Sequence, residues 1–152
     1  MPWVANHSNT NGTVIGVPGV LSLHPFTGAD AIVRWTAPST GNYVIGGLFE
    51  ILDVSPSGVI DLIYLNSTLL HHVVLSIPGA TASGPGGVDS FSISVSLTAG
   101  DIMSFGVNDN GYYPFDSTGF QATITSDAPT PASLALLGLG LLGVGATRRR
   151  LN

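Results

Sequence analysis

Phe91-Ser92-Ile93-Ser94-Val95-Ser96-Leu97 alternates without a break between apolar residues and serine. Successive side chains on a strand point to opposite faces, so Phe91, Ile93, Val95 and Leu97 share one side and the three serines the other. One side meets a core and the other meets water, the pattern of a half-buried strand in an antiparallel sheet.

The same rhythm runs through the flanking sequence. Short β-branched and apolar runs are parted by clusters of Gly, Pro, Asn and Ser, which predicts strands over 13–17, 20–24, 31–36, 41–52, 59–65, 68–75, 89–97, 101–107 and 120–126. Asn66-Ser67 fits a two-residue hairpin loop, because Asn tolerates positive φ. Ala99-Gly100-Asp101 reverses the chain again, and Ile77 to Val88, rich in Gly and Pro, reads as a long flexible loop. No amphipathic helix is legible before Ser126. The expectation is an all-β fold, a two-sheet antiparallel sandwich of jelly-roll type, followed by a short C-terminal transmembrane helix. Along the chain this divides into an irregular segment (1–12), the sandwich (13–126), a Pro-rich linker (127–131), an apolar helix (132–147) and a basic tail (148–152).

Charge narrows the function. Only 9% of the 152 residues are charged, against roughly 25% in an ordinary soluble domain, so the surface is built of Ser, Thr, Asn and Gly, as in secreted β proteins. There is no Lys, and before the tail Arg34 is the sole Arg. A body this acidic is repelled by phosphate backbones, which excludes nucleic acid as a partner. Cysteine is absent, removing disulfides, thiolate metal sites and thiol nucleophiles. The opening residues have neither a basic n-region nor an apolar h-region. If the protein is exported, its signal is therefore expected upstream of Met1.

After Ser126 the composition changes. Asp127-Ala128-Pro129-Thr130-Pro131 is an extended linker, since proline disfavours helix in its predecessor. It leads into an uncharged run from Ala132 to Ala146 and then to Arg148-Arg149-Arg150. A helix of roughly 15 residues spans only about 22 Å, short of the roughly 30 Å hydrocarbon core. Arginines that snorkel to the headgroups lengthen the effective span, and a basic stop reads as cytoplasmic, leaving the sandwich outside. The competing reading is a buried helix of the globular domain, which needs more wall than one sandwich offers and gains little from four glycines. Gly138-Leu139-Gly140-Leu141-Leu142-Gly143 satisfies the dinucleotide fingerprint formally, but no βαβ unit surrounds it. Small residues in a membrane helix explain these glycines better.

From Pro129-Thr130-Pro131-Ala132-Ser133-Leu134 to Arg148-Arg149-Arg150, this segment resembles the PEP-CTERM protein-sorting signal. That family has a Pro-Glu-Pro signature, a Leu- and Gly-rich membrane stretch and an arginine-rich end; here Thr130 stands where the family has Glu. The resemblance implies an exported bacterial protein, held in the lipid bilayer, handled by an exosortase-like sorting protease and delivered to the cell surface or an exopolysaccharide matrix. More loosely, Leu23-His24-Pro25, Val33-Arg34-Trp35-Thr36-Ala37-Pro38, Gly41-Asn42-Tyr43, Ala99-Gly100-Asp101 and Asp116-Ser117-Thr118-Gly119 resemble the jelly-roll-like bodies that precede this signal, most of which lack an assigned activity.

In the body, Tyr112, Tyr113 and Phe115 are candidate carbohydrate-stacking residues. Clustered loop aromatics also serve to cap a core. Asp109, Asn110 and Asp116 offer oxygen ligands suited to calcium, without the full spacing of a calcium loop. His71-His72 with Asp61 is the other metal candidate, but adjacent strand residues face opposite ways. Ser22 with His24, and Glu50 with Asp53, are the catalytic pairings available; neither rises above chance, so no catalysis and no cofactor are expected. The favoured function is a surface or matrix protein, the alternative a carbohydrate-binding module around Tyr112 to Asp116. A third reading is a hydrolase whose catalytic groups lie upstream.

Overall fold

The computed structural model describes residues 1–6, 12–76 and 87–126. Among the described residues nine strands are present in chain order: β1 (Trp3–Asn6), β2 (Leu21–His24), β3 (Ala31–Thr36), β4 (Gly41–Ile51), β5 (Val59–Leu65), β6 (Thr68–Leu75), β7 (Val88–Leu97), β8 (Ile102–Asn108) and β9 (Thr118–Ser126). They form a five-stranded sheet, β1-β2-β9-β4-β7, and a four-stranded sheet, β3-β8-β5-β6, with every pairing antiparallel. The all-β, two-sheet architecture is the one the alternation in β7 points to.

The core lies between the sheets. From one side come Tyr43, Ile45, Phe49 and Ile51 of β4, Phe91 and Leu97 of β7 and Phe120 of β9; from the other, Val59 and Ile63 of β5 and Met103, Phe105 and Val107 of β8. Four phenylalanines close a ring at its centre: Phe49–Phe91, Phe91–Phe105, Phe105–Phe120 and Phe120–Phe49 have centroid separations of 5.7, 6.0, 5.0 and 5.1 Å. Phe105 alone belongs to the smaller sheet, so this ring ties the two layers together. Burying one such side chain is worth about 1.5–3 kcal/mol, and paired aromatics add about 0.5–1.5 kcal/mol each. Gly47 makes room for the ring, because a Cβ there would meet the Gln121 carbonyl oxygen and lie 2.7 Å from Phe91 Cζ.

The sandwich has two unlike ends. At one, Leu65 pairs with Thr68 around Asn66, whose φ is 53°, as the hairpin reading predicts. The Ala99-Gly100-Asp101 turn lies at this end too, but Leu97 and Ile102 belong to different sheets, so the turn carries the chain across the core. Asp101 accepts from the Thr98 amide and the Asn66 side chain, and these bonds hold its carboxyl below the usual range. Ser126, opposite Tyr43, marks where β9 leaves this end. At the other end lie segment 25–30, segment 52–58 and the loop 109–117. Leu75 of β6 and Val88 of β7 lie toward this end; the loop expected over 77–88 falls mostly outside the described residues.

Two differences from the sequence reading stand out. Residues 13–17 form only an isolated bridge, Val14 with Asp53, flanked by backbone bonds from Ile15 to Leu52 and from Val54 to Thr13. Their partner is the segment after β4 rather than a strand. Conversely Trp3–Asn6, read as irregular, pairs along its whole length with β2. Among the described residues no helix is long and apolar enough to cross a membrane. The span expected over 132–147 lies outside them, as do Pro129, Thr130, Pro131, Ala132, Ser133, Leu134, Arg148, Arg149 and Arg150 of the sorting segment.

Candidate functional site

The loop between β8 and β9 is organised from below. Asn110 and Phe115 adopt positive φ of 46° and 66°, Gly111 follows at 95°, and the Tyr112 amide donates to the Asp109 carbonyl at 2.8 Å. The Ser57 hydroxyl, reaching in from the segment before β5, lies 2.6 Å from the Tyr112 carbonyl, 2.8 Å from the Pro114 carbonyl and 2.7 Å from Asp116 Oδ1. Asp116 is buried, and its Oδ2 has no hydrogen-bond partner among the described residues. Burial pushes its carboxyl up to about 6; the Ser57 hydroxyl and the Ser57 and Gly58 amides pull the other way, and the Asp109 charge adds to the rise.

This support turns aromatic rings outward. Tyr112 is 63% exposed and Phe115 45%. Tyr113 is half-buried and packs on Phe26 at 4.5 Å and edge-on to His24 at 6.4 Å. His24 in turn stacks on Trp3 at 5.5 Å with the rings 19° from parallel. The β1–β2 register sets Trp3 directly opposite His24. Phe26 is held out by two reciprocal backbone bonds with Ala29, 2.9 and 2.8 Å long, around Gly28 at φ 68°. Trp3, His24, Tyr113 and Phe26 thus form a continuous ridge from three separate segments, with Tyr112 and Phe115 beside it.

Of the predicted residues, Tyr112, Tyr113 and Phe115 do lie together on the surface. Trp3, His24, Phe26 and Ser57 join them although nothing in local spacing points to it. Asp109, Asn110 and Asp116 share the loop, but Asp109 Oδ1 already accepts from the Gly111 amide and Asp116 Oδ1 from Ser57. Among the described residues no group of three or more His, Asp or Glu could hold a metal ion.

The remaining pairings are dispersed. Ser22 Oγ has no hydrogen-bond partner among the described residues, while His24 Nδ1 lies 2.7 Å from the Pro25 carbonyl oxygen. Glu50 sits opposite Val88 on β4, whereas Asp53 is buried beyond the strand end against Thr13. His72 is exposed and His71 is half-buried, the opposite-face arrangement that alternation predicts. His71 Nε2 lies 2.6 Å from Asp89 Oδ2, bridging the edge strands β6 and β7 of the two sheets. Asp61 is fully buried, and neither of its carboxylate oxygens has a hydrogen-bond partner among the described residues. Burial, with a smaller push from the Asp89 charge, raises its carboxyl to about 8.

Comparison with known proteins adds the tail. Residues 127–150 match the family model for the PEP-CTERM protein-sorting motif. No curated protein matches the chain. Among solved structures, a family 35 carbohydrate-binding module from Clostridium thermocellum is similar at 14% identity and TM-score 0.47, over 83% of this chain and 92% of that one. CBM51 from Clostridium perfringens GH95, in complex with methyl-galactose, is similar at 13% identity and TM-score 0.48, over 78% of each. A cycloisomaltooligosaccharide glucanotransferase from Paenibacillus sp. is similar at 15% identity and TM-score 0.45; the match covers 81% of this chain and only 16% of that enzyme.

Proposed function

We propose that this is an exported bacterial surface protein whose C-terminal segment inserts in the lipid bilayer and is handled by an exosortase-like protease, leaving the β-sandwich outside the cell. The observation that carries this reading is the sorting motif at residues 127–150, directly following β9. The route of the chain supports it. Along β9, Thr118 faces Ile51 at one end and Ser126 faces Tyr43 at the other, about 26 Å apart at roughly 3.3 Å per residue. A tether leaving after Ser126 turns the opposite end, with Tyr112 to Asp116, away from the membrane and toward exopolysaccharide. The absence of cysteine makes orientation easy to test: Tyr112→Cys gives a single thiol. In spheroplasts producing the exported full chain, a membrane-impermeant maleimide labels it if this orientation is right; labelling only after lysis contradicts it.

A second reading is carbohydrate binding by the Tyr112 to Asp116 loop. It is favoured by two exposed rings on a loop whose Tyr112 and Pro114 carbonyls and Asp116 carboxylate all lie within reach of the Ser57 hydroxyl, since rigid aromatic faces suit the apolar face of a sugar. A glycan array probed with calcium and with chelator tests it, and negligible binding in both conditions dismisses it.

A further inference from the structure

The four-ring ridge is larger than the loop that sequence reasoning singles out, and its burial is unlike that of a core cap. Trp3 is 36% and Phe26 38% exposed, although each lies against another ring of the ridge. Rings gathered only to cover the core have no need to form a surface line outside it. Core coverage at this end is supplied by Val20, Leu23, Ile51, Leu52 and Val59, all at most 2% exposed.

We infer that Trp3, His24, Tyr113 and Phe26 form the binding platform for an internal stretch of an uncharged polysaccharide chain. This rests on the carbohydrate reading of the neighbouring loop and extends it in residues and in ligand class. Successive centroids are 5.5, 6.4 and 4.5 Å apart, steps comparable to one sugar ring. An open ridge also admits a chain that continues past it in both directions, where an enclosed pocket would select an end or a monomer.

Charge selects within the class. Asp30, Asp109 and Asp116 stand in the two loops that bear Phe26 and Tyr113, and Arg34 is the only Lys or Arg before the tail. Asp30 Oδ1 accepts from the side-chain Nδ2 of Asn108 at 2.7 Å. Carboxylated or sulfated chains therefore meet like charge, which disfavours them. Neutral glucans, mannans or galactans do not.

The test uses the full chain in detergent micelles against immobilised neutral glucans, mannans and galactans, the corresponding monosaccharides, and polyuronates. The expected result is binding to at least one neutral polymer, weak or absent binding to its monosaccharide and to polyuronates, and a loss of about tenfold or more in Phe26→Ala and Tyr113→Ala. Tyr113→Phe, which keeps the ring, retains binding. Because the alanine variants can fail to fold, a second readout uses Trp35→Phe, which leaves Trp3 as the only tryptophan. The bound polymer then shifts the Trp3 emission. No binding to any polymer overturns the carbohydrate reading and this inference together. Binding that survives both alanine variants and leaves Trp3 emission unchanged overturns the ridge alone and leaves the Tyr112 to Asp116 loop in place. Equal affinity for polymer and monosaccharide, or preference for polyuronates, overturns the assigned ligand class.

Discussion

The Ser57 hydroxyl lies 2.7 Å from Asp116 Oδ1, joining the segment before β5 to the loop before β9. It also lies within reach of the Tyr112 and Pro114 carbonyls, but a hydroxyl has one proton and donates to one of these acceptors at a time. Ser57, itself exposed, thus supports the surface aromatics through the backbone and carboxylate of their loop. Ser57→Ala is expected to lower stability by about 1–2 kcal/mol in a denaturant titration and to weaken any glycan affinity of the loop. An unchanged midpoint would show that the loop holds itself.

Asp61 gives the fold a pH dependence of definite sign. Its carboxyl is raised from the ordinary 3.8 to about 8, so the folded chain holds a proton that the unfolded chain releases. Stability from this group is fully present below about pH 4 and is lost as pH rises toward about 8. Over that window the loss approaches about 1.4 kcal/mol per pH unit. Asp116, raised to about 6, acts in the same direction between about 4 and 6. Asp61→Asn keeps the shape of the protonated side chain and removes the ionisation. Melting temperatures from pH 4 to 9 should fall with pH in the parent and fall distinctly less in Asp61→Asn, with the variant the more stable at pH 8. Parallel curves would mean that Asp61 stays ionised in the fold.

Gly46 and Gly47 are neighbours on β4 with opposite expectations. A Cβ at Gly46 comes no nearer than 3.7 Å to the Phe91 carbonyl oxygen, whereas at Gly47 it strikes the Gln121 carbonyl oxygen and the Phe91 ring. Gly47→Ala should cost about 1–3 kcal/mol, as overpacking does, and Gly46→Ala close to nothing. Thermal melts of the two variants decide it, and equal midpoints would contradict the packing described for the phenylalanine ring.

Strand positions were legible wherever alternation was strong and neighbours were local. The Phe91-to-Leu97 pattern and the Asn66 hairpin needed only a period of two and a residue that tolerates positive φ. Residues 13–17 misled because Val14 and Ile15 have strand chemistry, yet the backbone beside them is the short segment after β4. Trp3–Asn6 is too short and too polar in context to announce itself; its strand exists because β2 offers an edge. The same pairing explains the partial view of the site. Tyr112, Tyr113 and Phe115 are adjacent in sequence and visible as a cluster. Trp3 reaches His24 through the β1–β2 register, and His24 and Phe26 meet Tyr113 through the placement of β2 beside β9, which no local spacing encodes.

The claim on which location and role depend is that residues 127–150 hold the body at a membrane. The direct measurement is fractionation of two forms exported behind the same cleavable signal, the full chain and a chain ending at Ser126, followed by alkaline carbonate extraction of the membranes. The full chain should stay in the carbonate-resistant pellet while the shortened form appears in the soluble extracytoplasmic fraction. Equal solubility of the two forms would contradict the account.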